Sequence, residues 1–338
     1  MPCFPTRLAI AALATFGVSA AAQAQTVQLL GLLDMSAGQF QNAGAAKQWR
    51  ADSGNMSTSF IGFKGTEDLG GGLKAKFAIE HFLHVNDGSA GRFTGDAFWS
   101  RDAYVGLSGA FGTTTLGRNT TPLFVSTLLF NAFGDSFGFS PSIRQVFTPS
   151  LLPFFGDSGW NNSMAYASND DDGFSVNLMG NLGEGAPTAM GKNLGANLLY
   201  FKGPLGATAA WQQVRNGAFG TPLGWTSQTT WQIGTSYELG IAKIYGQYTQ
   251  VRTHATVDGK TALWGFGAAV PLGPGRVLVQ YGDARAEQAG VETSNKTLTL
   301  GYDYALSKSS DVYAVVMNDR VTGLNNGNTL ASGLRLRF

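Results

Sequence analysis

The sequence predicts an all-β protein, a 16-stranded antiparallel transmembrane β-barrel closed on itself. Three observations lead there. The chain opens with a segment built for export. Beyond it, stretches of about ten residues alternate apolar and polar side chains, the length a tilted strand needs to cross a bilayer. The connections between those stretches alternate short and long.

Met1 to Ala24 reads as a secretory signal peptide. Arg7 is its positive end, Leu8 to Ala22 its apolar stretch, and Ala22-Gln23-Ala24 a small-x-small cleavage site, so the mature chain is expected to begin at Gln25. The single cysteine, Cys3, falls in the removed part, which leaves no disulfide or thiol chemistry. Loss of Arg7 equalises the basic and acidic residues. A neutral chain without a basic stripe gives no reason to expect a nucleic-acid partner. After residue 24 no apolar run approaches the 18 residues of a membrane helix. Glycine is abundant, 46 of 338 residues, and charged residues make up only 13%, a composition suited to many strands joined by turns.

The strands declare themselves by period-2 alternation. Leu73, Ala75, Phe77 and Ile79 share one face, and Lys74, Lys76, Ala78 and Glu80 the other. Phe174, Val176, Leu178 and Leu182 stand opposite Ser175, Asn177, Met179 and Asn181. Leu298, Leu300, Tyr302, Tyr304 and Leu306 stand opposite Thr297, Thr299, Gly301 and Asp303. At the end of the chain Leu330, Leu334, Leu336 and Phe338 lie on one face, Arg335 and Arg337 on the other. Closing such strands on themselves puts the apolar face in lipid and the polar face around water, with no exposed edge. Trp and Tyr near strand ends suit interfacial girdles.

Seven short connections carry turn-forming Gly, Pro, Asn and Asp, among them 68–72, 109–112, 203–206 and 307–310. Eight longer, polar connections lie between them: 41–55, 83–97, 119–159, 184–191, 216–228, 252–260, 284–295 and 320–329. The third, from Asn119 to Gly159, is the longest. It has neither a helical nor an alternating period and is crowded with Phe: 124, 130, 133, 137, 139, 147, 154 and 155. A loop of this length without its own secondary structure is usually functional. It is expected to fold inward and narrow the pore.

The run Ile61-Gly62-Phe63-Lys64-Gly65-Thr66-Glu67-Asp68-Leu69-Gly70-Gly71-Gly72-Leu73-Lys74-Ala75 resembles the second strand, first turn and third strand of Gram-negative trimeric porins, those of β-proteobacteria above all. Ala103 to Ser108 with Phe111-Gly112 and Leu116-Gly117-Arg118, Tyr302 to Lys308, and Gly333 to Phe338 are similar to the same family. The resemblance runs through the mature chain, 25–338, in order. It implies a homotrimer in the outer membrane of a Gram-negative bacterium, in contact with membrane lipid and lipopolysaccharide, passing small hydrophilic solutes and ions passively. It also implies that the third loop faces a ladder of wall cations, and that Phe338 is read by the outer-membrane assembly machinery.

The sequence departs from the family at the constriction. Phe60 stands where the family usually has Arg, and alternation puts it with Gly62 and Lys64 on the lumen face. The strand leaving the loop, 159–166, carries no charge. Arg118 is kept. The loop's acidic motif is reduced to Asn131-Ala132-Phe133-Gly134-Asp135. The constriction is therefore expected to use Phe60, Lys64, Arg118, Phe133, Asp135, Arg144 and Asp157. Fewer charges weaken the transverse field that favours hydrated ions. A weaker charge preference and better tolerance of amphipathic or aromatic solutes follow, and a substrate-specific channel for such molecules is the alternative function.

No catalytic residue, metal or cofactor is expected. His81 and His84 point opposite ways on a strand, and Asp170 to Asp172 lack the spacing of a calcium loop. Gly70 to Gly72 lack the lysine and helix of a phosphate loop, and no Gly-x-Ser-x-Gly elbow precedes a helix.

Overall fold

The computed structural model describes residues 26–181, 193–215 and 224–338. The expected signal peptide and Gln25 lie outside these residues, as do the 184–191 connection, Leu182 and most of 216–228.

The strands in chain order are β1 Thr26–Phe40, β2 Gln48–Ser53, β3 Phe60–Gly70, β4 Leu73–Phe82, β5 Ala103–Gly109, β6 Gly112–Thr120, β7 Gly159–Ala167, β8 Phe174–Asn181 and β9 Leu194–Lys202. They continue as β10 Leu205–Val214, β11 Trp225–Glu238, β12 Lys243–Ala255, β13 Gly259–Leu272, β14 Gly275–Gln288, β15 Val291–Ala305, β16 Ser310–Val321 and β17 Gly327–Arg337. All pair antiparallel, and β1 pairs with β17, which closes the barrel. Phe338 finishes the seam: its backbone exchanges hydrogen bonds with Gly31 at 2.9 and 3.1 Å.

There are 17 strand segments on 16 barrel positions, because the second position is split. β2 pairs with the Met35–Phe40 half of β1, and β3 with the Thr26–Leu32 half. Between them residues 54–59 leave the ladder. Gly54 makes the bend with a positive φ of 74°. The Asp34 carboxylate then captures the detour, accepting from the amides of Met56 (2.6 Å) and Ser57 (2.9 Å) and from the Tyr313 hydroxyl (2.6 Å).

The expected faces appear in the burial. Leu298, Leu300, Trp264, Phe266, Leu330 and Leu334 are exposed, whereas Thr297, Thr299, Gln232, Gln280 and Arg335 are buried. Two connections expected to be long are tight. β12 and β13 leave only 256–258 between them, and β14 turns into β15 through Ala289 and Gly290, both with positive φ. Polar residues on both faces made these strand ends look like loop, but the ladder runs on past the apolar band.

The third loop also differs from expectation, since it contains two short helices. α1 is Pro122–Leu129 and α2 Pro141–Phe147. Each begins with a hydroxyl cap before proline. Thr121 Oγ1 accepts from the Phe124 amide and Ser140 Oγ from the Ile143 amide, both at 3.3 Å. Proline in the first turn loses no intrahelical bond. At seven and eight residues the helices are too short to show a period, so the Thr-Pro and Ser-Pro pairs were their only signal. Asn131 knits the two together. Its amide donates to Thr127 O and Gly134 O, and its carbonyl accepts from the Phe133 amide and Ser140 Oγ.

Candidate functional site

The segment 119–159 is seated on the polar faces of β9 to β15 by neutral side chains. Asn197 donates to Pro122 O (2.8 Å) and Ser126 Oγ (2.9 Å). Gln232 Nε2 reaches Thr127 Oγ1 at 3.0 Å, and Gln247 Nε2 reaches Thr127 O at 2.7 Å. Gln280 donates to Ser142 Oγ (2.8 Å), and Gln145 in α2 donates to Asn295 O (3.0 Å) and Thr297 Oγ1 (3.2 Å). Gln228 accepts from the Phe155 amide and donates to Pro153 O, each at 2.9 Å. Amides suit this role because each offers donor and acceptor without the desolvation cost of a buried charge.

Glycine lets the two surfaces meet. A Cβ at Gly282 would stand 2.6 Å from Gln145 Oε1 and 2.8 Å from Pro141 Cβ. One at Gly301 or Gly234 would stand 3.1 Å from Phe133 or Phe130. These three glycines lie within wall strands and serve the seat rather than a turn.

The loop phenylalanines divide into two groups. Phe130, Phe133, Phe139, Phe154 and Phe155 are buried. Phe133, expected at the constriction, is only 4% exposed and packs in a cluster with Phe139, Leu278 and Val315. Phe124, Phe137 and Phe147 remain half-exposed and form a ring chain, with Phe124 5.8 Å from Phe137 and 5.0 Å from Phe147. Phe137 also borders a polar cavity of about 320 Å³ with Phe40, Arg50, Asn55 and Arg144.

The expected charges fall into four places. In the first, Phe60 and Lys64 share a face, as alternation requires. Lys64 Nζ lies 2.9 Å from Glu80 Oε1, Arg101 bonds the other Glu80 oxygen, and the Arg101 guanidinium lies 4.0 Å over the Phe60 ring. A cation therefore does stand at Phe60, supplied by Arg101 from the end of the second long loop. Glu80 was visible in sequence as the carboxylate on the polar face of its strand. Arg101 carried no periodic signal.

The second place joins the loop to the barrel seam. Ser57 Oγ donates to Asp135 Oδ1 at 3.1 Å and accepts from Arg335 at 3.1 Å. Arg335 is also paired with Asp303 (2.8 Å) and Asp311 (2.7 Å). Burial pushes the Asp135 carboxyl above its ordinary range, against the bond from Ser57.

The third place is around Arg144, which bonds Asn42 Oδ1 at 3.0 Å and lies 3.6 Å from Asp319. The fourth gathers Arg118 and Asp157. Arg118 pairs in register with Ala103, while its neighbour Gly117 pairs with Tyr104. Alternation then sets Arg118 on the side of exposed Leu116 and Val105, away from Tyr104 and Asn119. It does not join Lys64 on the polar face. There it donates to Ser100 O (2.6 Å) and Asn161 Oδ1 (2.7 Å) and lies 3.7 Å from Asp157, which pairs with Arg92 at 2.7 Å. Arg92 in turn holds Asp96 at 2.8 Å. Burial alone would raise the Asp96 carboxyl, but its bonds from Arg92 hold it below its ordinary value. This cluster fastens the 83–102 segment to the root of the third loop.

Both discounted histidines serve the same segment. His81 Nδ1 bonds Phe98 O with the rings stacked 4.0 Å apart, and His84 Nε2 lies 3.3 Å from Arg92 O. Among the described residues no group of three or more His, Cys, Asp or Glu could hold a metal.

A family profile described as Gram-negative porin matches residues 9–324. Outer membrane porin protein 32 of Delftia acidovorans is 31% identical over 325 residues, covering 89% of this chain and 86% of that protein. Major outer membrane protein P.IA of Neisseria meningitidis serogroup C is 27% identical, covering 83% and 82%. Among solved structures, the anion-selective porin from Comamonas acidovorans superimposes with a TM-score of 0.76 at 24% identity, covering 93% of this chain and all of that one. The trimer form of OmpT from Vibrio cholerae gives 0.70 at 15% identity, covering 93% and 100%. A closed barrel of 16 positions, a profile that spans nearly the whole chain, and a relative above 30% identity agree: this chain belongs to the Gram-negative porin family and forms a channel in the outer membrane.

Proposed function

We propose that the channel passes small hydrophilic solutes and ions passively, and that residues 119–159 lie in its lumen and set the cross-section. The observation that carries this is the seat of amides and glycines along β9 to β15. It supports a loop fixed against half of the wall, with the other half left to bound a wet passage. The charges at that passage are Lys64 and Arg101 beside Phe60, joined by the buried Glu80, with Asp135 near Arg335, and Arg144. In this reading Phe133 fixes the loop, and Arg118 with Asp157 hold its root. The protein performs no chemistry. Solutes cross by exchanging hydration water for these fixed charges and dipoles.

The mature chain has no cysteine, which allows a direct test. Phe137→Cys treated with a charged thiol reagent should lose single-channel conductance stepwise, whereas Lys308→Cys, in a short turn, should not. Unchanged conductance in a fully labelled Phe137→Cys protein would place the loop outside the passage.

The half-exposed chain of Phe124, Phe137 and Phe147 favours a second reading, in which aromatic or amphipathic solutes pass preferentially. Liposome swelling with an aromatic carboxylate and a sugar of equal size would separate the two readings. A preference lost in Phe124→Leu/Phe137→Leu supports the specific channel, and equal rates in the parent protein refute it.

The proposal extends to a homotrimer in contact with membrane lipid. Small residues on the exposed faces of adjoining strands, Ala37, Ala51, Ala314 and Ser332, line an apolar depression and would allow close approach of a second copy. Light scattering on the purified protein measures this. The exposed ring of Phe338 beside the seam supports its role as the assembly signal, and N-terminal sequencing of the mature protein would test cleavage before Gln25.

A further inference from the structure

We infer that the cavity bounded by Phe40, Arg50, Phe137 and Arg144 captures aromatic carboxylates before they enter the passage. This rests on the aromatic-solute reading above and deepens it by naming the site and the acidic group it holds.

Elements far apart in sequence build the cavity. Phe40 ends β1, Gln48 and Arg50 come from β2, Phe137 and Gly138 from the turn between the two loop helices, and Arg144 from α2. β2 pairs with the end of β1 that leads into the first long connection, whereas Phe60 and Lys64 lie on β3, opposite the other end of β1. The cavity therefore stands between the mouth that carries the long connections and the constriction beside Phe60. Long connections face outward in such barrels, so an incoming solute meets the cavity first. Its volume of about 320 Å³ suits a small organic ligand.

The lining selects an anion. Two guanidinium groups line the cavity, and none of the described carboxylates does. The carboxylates that pair with them stand behind, Asp52 at 2.9 Å from Arg50 and Asp319 at 3.6 Å from Arg144. They hold both guanidiniums in place, so little side-chain freedom is lost on binding. Donors remain. Of the five N–H groups of Arg50, Asp52 takes Nε and one on Nη2 and Gln48 takes one on Nη1, which leaves two. Arg144 spends one N–H on the Met317 sulfur at 3.1 Å, a weak acceptor that a carboxylate oxygen would outcompete. Asn42 and Gln48 turn their side-chain carbonyls to the two arginines, at 3.0 Å each, so their NH2 groups are further donors. Burial lowers the proton affinity of Arg144 against the pull of Asp319, and a second anion beside it would offset that desolvation.

The charge balance selects a monoanion. Arg50, Arg144, Asp52 and Asp319 already sum to zero, so directed hydrogen bonds rather than net charge hold the ligand. A carboxylate adds one negative charge to that neutral set, and a phosphate ester adds two. The rings select what the carboxylate is attached to. Phe40 is buried with the Arg50 guanidinium 4.7 Å over its ring, and half-exposed Phe137 borders the same space. Phe137 continues into Phe124 and Phe147, with centroids 5.8 and 5.0 Å apart. A ring leaving the cavity thus passes from one aromatic surface to the next, while its carboxylate exchanges the arginines for the charges beside Phe60. Binding at such a station is favourable enough to enter and weak enough to leave.

The test is block of single-channel current by benzoate in a planar bilayer, with acetate as the probe without a ring and benzyl alcohol as the probe without a charge. Benzoate should block with saturation, more strongly from the side of the long connections, and the other two should block less well. In Arg50→Gln/Asp52→Asn, which keeps the net charge, and in Arg144→Gln the half-blocking concentration should rise about tenfold, the loss of a charge-assisted hydrogen bond. Equal block of the parent and the Arg50 variant overturns the site. Equal block by benzoate and acetate overturns the aromatic assignment, and stronger block by phenyl phosphate than by benzoate overturns the monoanion. If Arg144→Gln does not fold, the Arg50 variant gives the reading alone, since that side chain is 46% exposed. Fluorine NMR line broadening of 4-fluorobenzoate by the folded protein in detergent reads the same affinities without current, so a barrel that does not conduct still tests the site. Equal liposome swelling with the aromatic carboxylate and the sugar, together with block relieved in the Arg50 variant, would refute the aromatic-solute reading and keep the site. A swelling preference with block unchanged in that variant would keep the reading and overturn the site.

Discussion

Replacing Glu80 with Gln is the sharpest perturbation of the proposed passage. The Glu80 side chain is fully buried and joins Lys64, which is 43% exposed, to Arg101, which is 32% exposed. These three groups carry one net positive charge, and the substitution makes it two without changing shape. A unit charge about 6 Å from a passing ion, screened as in bulk water, is worth about 0.7 kcal/mol. The substitution favours an anion by that amount and disfavours a cation equally, so the anion-to-cation permeability ratio should rise about tenfold. The reversal potential in a planar bilayer under a salt gradient measures it. Lys64→Gln should move the ratio the other way. An unmoved reversal potential, from a variant that keeps its heat-modifiable mobility, would mean that ions do not pass the Phe60 wall.

Gln145→Ala removes the bonds from α2 to Asn295 and Thr297 and should cost about 1–3 kcal/mol of loop anchoring; single-channel current noise should rise, and quiet traces would show that the anchor is redundant. Gly282→Val should displace α2, since its first added carbon already meets Gln145 and Pro141, and conductance per opening should change. Asp135, its carboxyl raised by burial, takes up its proton above the ordinary Asp range, so its ionised form opposes folding at neutral pH and that cost is relieved as pH falls through the raised value. Selectivity should therefore shift toward anions on mild acidification, and Asp135→Asn should abolish the shift. Asp96 has the opposite sign: its carboxyl is depressed, so it contributes stability above the ordinary Asp value that is lost only as pH falls through the lower, folded one. Proteolysis within 83–102 should accelerate only in strong acid, and in Arg92→Gln it should be fast at neutral pH.

Much of the barrel was legible because period-2 alternation reports a wall with unlike sides, and the alternating run from Leu73 to Glu80 emerged within one strand, Leu73–Phe82. Legibility failed where that contrast vanishes. The ends of β12 to β15 are polar on both faces, so tight hairpins looked like long loops. The split of the second strand depends on Asp34 reaching across the chain to residues 56 and 57, which no local pattern announces. In the third loop, Phe content suggested apolar lining, but chain composition does not distinguish a ring packed on Gly301 from one left half-exposed like Phe137. Arg118 kept its place in a recognised motif, yet register turns it to the other face. Arg101 comes from an aperiodic loop and supplies the cation that position 60 lacks. The amide seat was hidden in plain view, since Gln and Asn on a polar face read equally well as groups facing water.

The most direct measurement of the central claim is single-channel conductance of the purified, folded protein in a planar bilayer. The proposed passage should give stepwise, ohmic openings, with reversal potentials that follow the charges at Lys64, Glu80 and Arg101. A correctly folded barrel that inserts but never conducts would contradict it, and would mean that the segment 119–159 plugs the pore.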